Sequence, residues 1–80
     1  MKNEIHIRQL PYEAAHLKLQ KELDDCYMKN FSRVRVVHGK GEGILKKMTH
    51  EYLAEQPFVN DFYEAPYYEG GAGVTIVELS

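Results

Sequence analysis

The sequence predicts an α/β two-layer sandwich: a four-stranded mixed sheet in the order βαβαββ, with two helices on one face. Three observations lead there. Glu4–Arg8 and Ser32–His38 alternate apolar and polar residues with a period of two, and each is followed by a stretch with helical spacing. A strand–helix–strand succession calls for a right-handed crossover that puts the first two strands in one sheet. Two helices cover only one face of a four-stranded sheet, and the alternation leaves the other face polar.

Each element has its own signal. In Glu4–Arg8, Ile5 and Ile7 alternate with His6 and Arg8, and Pro11 then opens a helix. From Tyr12 to Met28, Tyr12, Ala15, Leu19, Leu23 and Cys26 form one apolar stripe, and Asn30 is the exit. In Ser32–His38, Val34 and Val36 alternate with Arg33 and Arg35. The second helix, Ile44 to Gln56, turns Met48 and Tyr52 inward with either Leu45 or Ile44, and Pro57 ends it. Phe58–Ala65 is a third strand, weakened by Asn60 and Asp61. A turn at Glu69–Gly73 joins it as a hairpin to the β-branched strand Val74–Leu79.

Composition narrows the function classes. The 80 residues form a single domain, residues 1–80, and 44% hydrophobic with 28% charged residues excludes disorder. So short a chain buries only about 60–65% of its unfolded surface, so the core is small. The lone Cys26 excludes an internal disulfide and fits a reducing compartment. No apolar run nears the ~20 residues that span a bilayer, and no signal peptide opens the chain. A cytoplasmic location without a membrane partner is therefore expected. A net charge of −2 gives no global attraction to nucleic acid, so any such binding needs a local patch.

One patch is available. His6, Arg8, Arg33 and Arg35 all point away from the helices. They either solvate the open sheet face or bind phosphate there. Beside them, His38-Gly39-Lys40-Gly41-Glu42-Gly43 joins a strand to a helix. Glycines allow close backbone approach, the helix N-terminus offers unpaired N–H groups, and Lys40 adds a cation. The loop has neither the Gly-Lys-Ser/Thr ending of a Walker loop nor the dinucleotide Gly-x-Gly-x-x-Gly.

These residues resemble a known family. Val36-Val37-His38-Gly39-Lys40-Gly41-Glu42-Gly43-Ile44-Leu45 is similar to the signature loop of the Smr (small MutS-related) domain, and Glu69-Gly70-Gly71-Ala72-Gly73-Val74-Thr75-Ile76-Val77-Glu78-Leu79 to its closing strand. Ile5-His6-Ile7-Arg8 stands where the family carries Leu-Asp-x-His or Leu-Asp-Leu-Arg, and Tyr12-Glu13-Ala14-Ala15 matches the start of its first helix. The resemblance spans nearly the whole chain. It implies a βαβαββ fold like the C-terminal domain of translation initiation factor three. It also implies nucleic-acid binding, often with nicking endonuclease activity, in proteins of mismatch repair, recombination control or ribosome rescue. Many bacterial members end a longer MutS-like protein, whereas this chain, opening on its own methionine, is expected to hold the domain alone. Arg8, His38 and Lys40 match family positions. The family's aspartate falls at His6, and a family glycine falls at Gln9.

That replacement bears on chemistry. A two-metal nuclease needs clustered carboxylates, and near the loop only Glu42 is available, so no metal or other cofactor is expected. A metal-free route needs an acid and a base near neutral pKa, which His6 and His38 supply if the first two strands pair in parallel, with Arg8 and Lys40 stabilising phosphorane charge. In the competing reading, His38 bonds its own loop and His6 is a surface residue. The candidate site is thus His38, Arg8 and His6 for catalysis, with Gly39, Lys40, Gly41, Gly43, Arg33 and Arg35 for phosphate. His16 and His50 lack ligand partners and read as surface or boundary residues. Cys26 reads as core, and Glu13, Glu22 and Glu51 as solvated helix faces. Tyr63, Tyr67 and Tyr68 either stack on bases or close the core edge. Two functions follow: a DNA- or RNA-binding domain, with or without weak cleavage, and a non-catalytic module docking on a ribosome or repair protein.

Overall fold

The structure, a computed structural model, describes residues 3–80. Its elements are β1 (Glu4–His6), α1 (Tyr12–Met28), β2 (Arg33–Val37), α2 (Ile44–Ala54), β3 (Val59–Glu64) and β4 (Val74–Leu79). The sheet order is β1-β2-β4-β3. β1 and β2 are parallel, and β4 pairs antiparallel with both β2 and β3. Both helices cover one face, as the alternation in β1 and β2 predicts.

The core follows from periodicity. Ala15, Leu19, Leu23 and Cys26 of α1 and Met48 and Leu53 of α2 pack on Ile5, Ile7, Val34, Val36, Val77 and Leu79. Leu19 and Leu23 are fully buried, and truncating either to alanine costs about 2–5 kcal/mol. Two residues depart from the expected stripes. Tyr12 is half exposed and stacks on His16 one turn on, 6.4 Å between centroids. Leu45 packs on the core, while Ile44, at the helix start, is exposed.

Backbone accounting explains the element ends. β1 stops two residues earlier than its pattern because the Ile7 and Arg8 amides both donate to the Val37 carbonyl. The chain then turns at Gln9 with φ 67°, a left-handed conformation that favours glycine. α1 ends as Asn30 suggests. Asn30 has φ 62°, its amide donates to Tyr27, and Phe31 donates to Cys26, the two bonds of a Schellman motif. β3 carries a register shift between Val59 and Asp61, where Asn60 and Asp61 weaken the strand pattern.

The open face is drier than the alternation implies. Val74, Ile76 and Ala65 are buried there, with Val37 packed against them. The segment between β3 and β4 is not one turn but two short 3-10 turns, Tyr67–Glu69 and Gly71–Gly73. Glu69 is tied to the open face at both ends. Its carboxylate takes two hydrogen bonds from Arg33 (3.0 and 2.8 Å), and its carbonyl accepts one from Arg35 (2.7 Å).

Candidate phosphate site

Two loops meet at the C-terminal ends of the parallel strands β1 and β2, the end of an open α/β sheet where ligands bind. Between them lies an open cleft of ≈ 750 Å³, walled by residues 6, 8 and 9, by Arg35 and the Val37–Lys46 segment, and by Gly70, Gly73 and Val74. The glycine loop is clamped at its start. The amides of His38 and Gly39 both donate to the Gly73 carbonyl, at 3.1 and 2.9 Å. From Lys40 to Lys46, where Gly41 and Glu42 form a turn, no backbone amide makes a well-formed hydrogen bond among the described residues, and the first helical bond runs from Lys47 to Gly43. No side chain caps α2, whose N-cap, Gly43, has φ 81°. Such a run of amides at the positive end of a helix has the donors and the dipole that suit an anion.

The cations divide into two classes. Arg8 and Lys40 wall the cleft, and their side chains have no hydrogen-bond or ion-pair partner among the described residues. Arg33 and Arg35 have carboxylates already. Arg33 is paired with Glu69, whose hydrogen bond raises the pKa of the guanidinium and lowers that of the carboxylate. Arg35 is paired with Glu4 and held to the Glu69 carbonyl. The basic sheet face read from Arg33 and Arg35 is therefore neutralised by Glu4, two residues before His6 on the same face, and by Glu69. Lys46 pairs with Glu64 at 3.2 Å.

The histidines also separate. His6 is exposed, opposite Val37 in the parallel register, and its Nε2–H donates to Glu4 Oε1 at 3.0 Å. His38 turns to the helix side, where it is buried. The two leave the sheet on opposite faces, so parallel pairing does not join them into an acid–base pair. Both nitrogens of His38 are occupied: Nδ1 by the Gly39 carbonyl at 2.9 Å and Nε2 by Thr75 Oγ1 at 2.8 Å. His50 Nε2 meets the same oxygen at 2.9 Å. Burial lowers the pKa of both histidines. Thr75 and His50 escape sequence reading because a threonine in a β-branched strand and a lone helical histidine look ordinary. The signal available was that Thr75, in alternation with Val77 and Leu79, faces the helices.

Comparison with known proteins adds the family. The Smr domain model matches residues 5–80. The chain belongs to the Smr domain family. It is 43% identical over 79 residues to the protein named endonuclease MutS2 of Clostridium beijerinckii, covering 99% of this chain and 10% of that protein. Against the MutS2 of Carboxydothermus hydrogenoformans it is 43% identical over 76 residues, again 10% of the relative. This Smr domain thus spans about a tenth of the length of the curated relatives it matches. The crystal structure of the Smr domain of Thermus thermophilus MutS2 superposes with a TM-score of 0.92 at 36% identity, covering 100% of this chain and 99% of that one. YdaL, a stand-alone small MutS-related protein from Escherichia coli, shares the fold at a TM-score of 0.89 and 21% identity, over 96% of this chain and 63% of its own.

Proposed function

We propose that this Smr domain binds nucleic acid by seating a backbone phosphate in the cleft over the glycine loop. Arg8 and Lys40 supply charge, and the unpaired amides from Lys40 to Lys46 supply hydrogen bonds. The observation that carries this reading is the division of the cations. The two that wall the cleft without a carboxylate are the two matching family positions next to the loop, while Arg33 and Arg35 are spent on Glu69 and Glu4. The matched relatives' name, endonuclease, makes a phosphodiester the fitting ligand. In this reading the domain works in the cytoplasm, on DNA or RNA.

Cleavage has less support than binding. The family's aspartate is His6, hydrogen-bonded to Glu4, and neither nitrogen of His38 is free to take a proton. Among the described residues, Glu42 is the sole carboxylate on the cleft wall. These residues favour a binding module, docking on a nucleic-acid-containing assembly such as a ribosome or a repair complex, over an efficient nuclease. A fluorescence-anisotropy titration of labelled DNA and RNA duplexes, run beside a plasmid-nicking assay, tests both. Binding without nicking is the expected result, and no binding to either duplex overturns the reading.

A further inference from the structure

The His50–Thr75–His38 chain has a direction that can be worked out from donor and acceptor rules. The Gly39 carbonyl only accepts, so His38 Nδ1 carries the hydrogen. A neutral imidazole has one N–H, so His38 Nε2 is an acceptor and the Thr75 hydroxyl donates to it. That leaves the Thr75 oxygen to accept, and His50 Nε2–H donates to it. Each group uses its donor once, and the hydrogens all run from α2 through β4 to the loop.

The far end of the chain is the peptide between Gly39 and Lys40. That peptide is trans, so its carbonyl and its N–H point in opposite directions in one plane. His38 holds the Gly39 carbonyl on the buried side. The Lys40 amide must then point away from the core, and it is the first unpaired donor of the phosphate loop.

Building on the phosphate reading above, we propose that Thr75 and His50 are positioning residues that fix the tautomer and ring plane of His38, which in turn aims the Lys40 amide at the bound phosphate. His38 then acts as a backbone clamp and moves no proton. The site is rigid for a physical reason. Moving the ring hydrogen to Nε2 would leave the Thr75 hydroxyl without its acceptor and the Gly39 carbonyl without a donor. Thr75 is fully buried and His38 nearly so, so water does not replace the lost bonds.

Ring 15N–1H correlation spectra of the free wild-type protein read the chain directly. At neutral pH, His38 is expected as the Nδ1–H tautomer, the minor form of imidazole in water, and His50 as the Nε2–H tautomer. An Nε2–H tautomer or an averaged mixture at His38 overturns the proposal. Thr75→Val keeps the shape and removes the hydroxyl. It is expected to lose the single-tautomer signature and to bind a labelled DNA duplex about tenfold more weakly, the worth of one charge-assisted hydrogen bond. Thr75→Ser restores both. A second pair stands if Thr75→Val does not fold. The amide of asparagine mimics Nδ1–H and transfers no proton at neutral pH, so His38→Asn is expected to recover most of the affinity that His38→Ala loses. Affinity in Thr75→Val equal to wild type, or His38→Asn as weak as His38→Ala, overturns the positioning role. A wild type with the expected tautomers that binds no DNA instead overturns the phosphate reading, and the two failures are thereby distinguished.

Discussion

The side chain of Arg8 lies against the α-carbon of Gly39. A Cβ placed on Gly39 would sit 3.1 Å from Arg8 Cγ and 3.6 Å from Nε. The loop glycine thus provides the floor on which the free guanidinium rests, and β1's exit and the glycine loop are parts of one surface.

That contact separates two glycines of the loop. Gly39 and Gly43 have nearly equal φ values, 84° and 81°, but a Cβ at Gly43 meets nothing within 4 Å. Gly43→Ala is expected to lose about 1–2 kcal/mol from backbone strain alone. Gly39→Ala adds the displacement of Arg8, so its loss of stability is larger and its DNA affinity falls where that of Gly43→Ala changes less. Urea melts and anisotropy titrations of the two variants check this.

Stability should depend on pH through the buried histidines. Desolvation lowers the pKa of His38 and His50 from the ordinary 6.5; for both, the nearby Lys46 ammonium lowers it further and the Glu64 carboxylate opposes the shift. The unfolded chain therefore binds protons more readily than the folded one at mildly acid pH. The stabilisation is complete above about pH 6.5 and is lost as pH falls toward the lowered pKa values, by at most about 1.4 kcal/mol per pH unit for each histidine. Urea unfolding between about pH 7.5 and pH 5 measures the slope, and His38→Asn should make it shallower.

Much of this was legible in the chain. Ile5/Ile7 against His6/Arg8, and Val34/Val36 against Arg33/Arg35, state the sheet's two faces without any tertiary information. The glycine loop and the closing strand point to the two segments that wall the candidate cleft. Partnerships across long sequence separations were not legible. Nothing local says that Glu69 folds back onto Arg33 and Arg35 and removes them from the cationic surface, because that depends on the two 3-10 turns. Nor does spacing say that Thr75 sits between His38 and His50, since the three meet only when β4 inserts beside β2 and α2 covers both.

Restoring the family's acidic residue tests whether the scaffold has lost only a side chain. His6→Asp is expected to raise nicking of supercoiled plasmid above the wild-type level, toward the roughly 10²-fold that one positioned proton-transfer group contributes. Gel analysis with and without chelator reads the effect and any metal requirement. Equal silence in both proteins removes the nuclease from consideration and leaves the binding domain.

Paired and unpaired arginines should behave differently. Arg33→Gln removes the partner of Glu69 and is expected to loosen the 3-10 segment, seen as faster amide exchange at Glu69 and Gly70, while DNA affinity stays near wild type. A loss of affinity as large as that of a cleft cation would place phosphate on the open sheet face.

The most direct measurement of the central claim is the salt dependence of DNA affinity for wild type, Arg8→Glu and Lys40→Glu. Each charge reversal is expected to weaken binding by about tenfold or more near 0.1 M salt and to lower the log–log salt slope by about 0.9, one phosphate contact each. Affinities and slopes identical to wild type in both variants would contradict the claim, and would move the binding surface away from the cleft between Arg8 and the glycine loop.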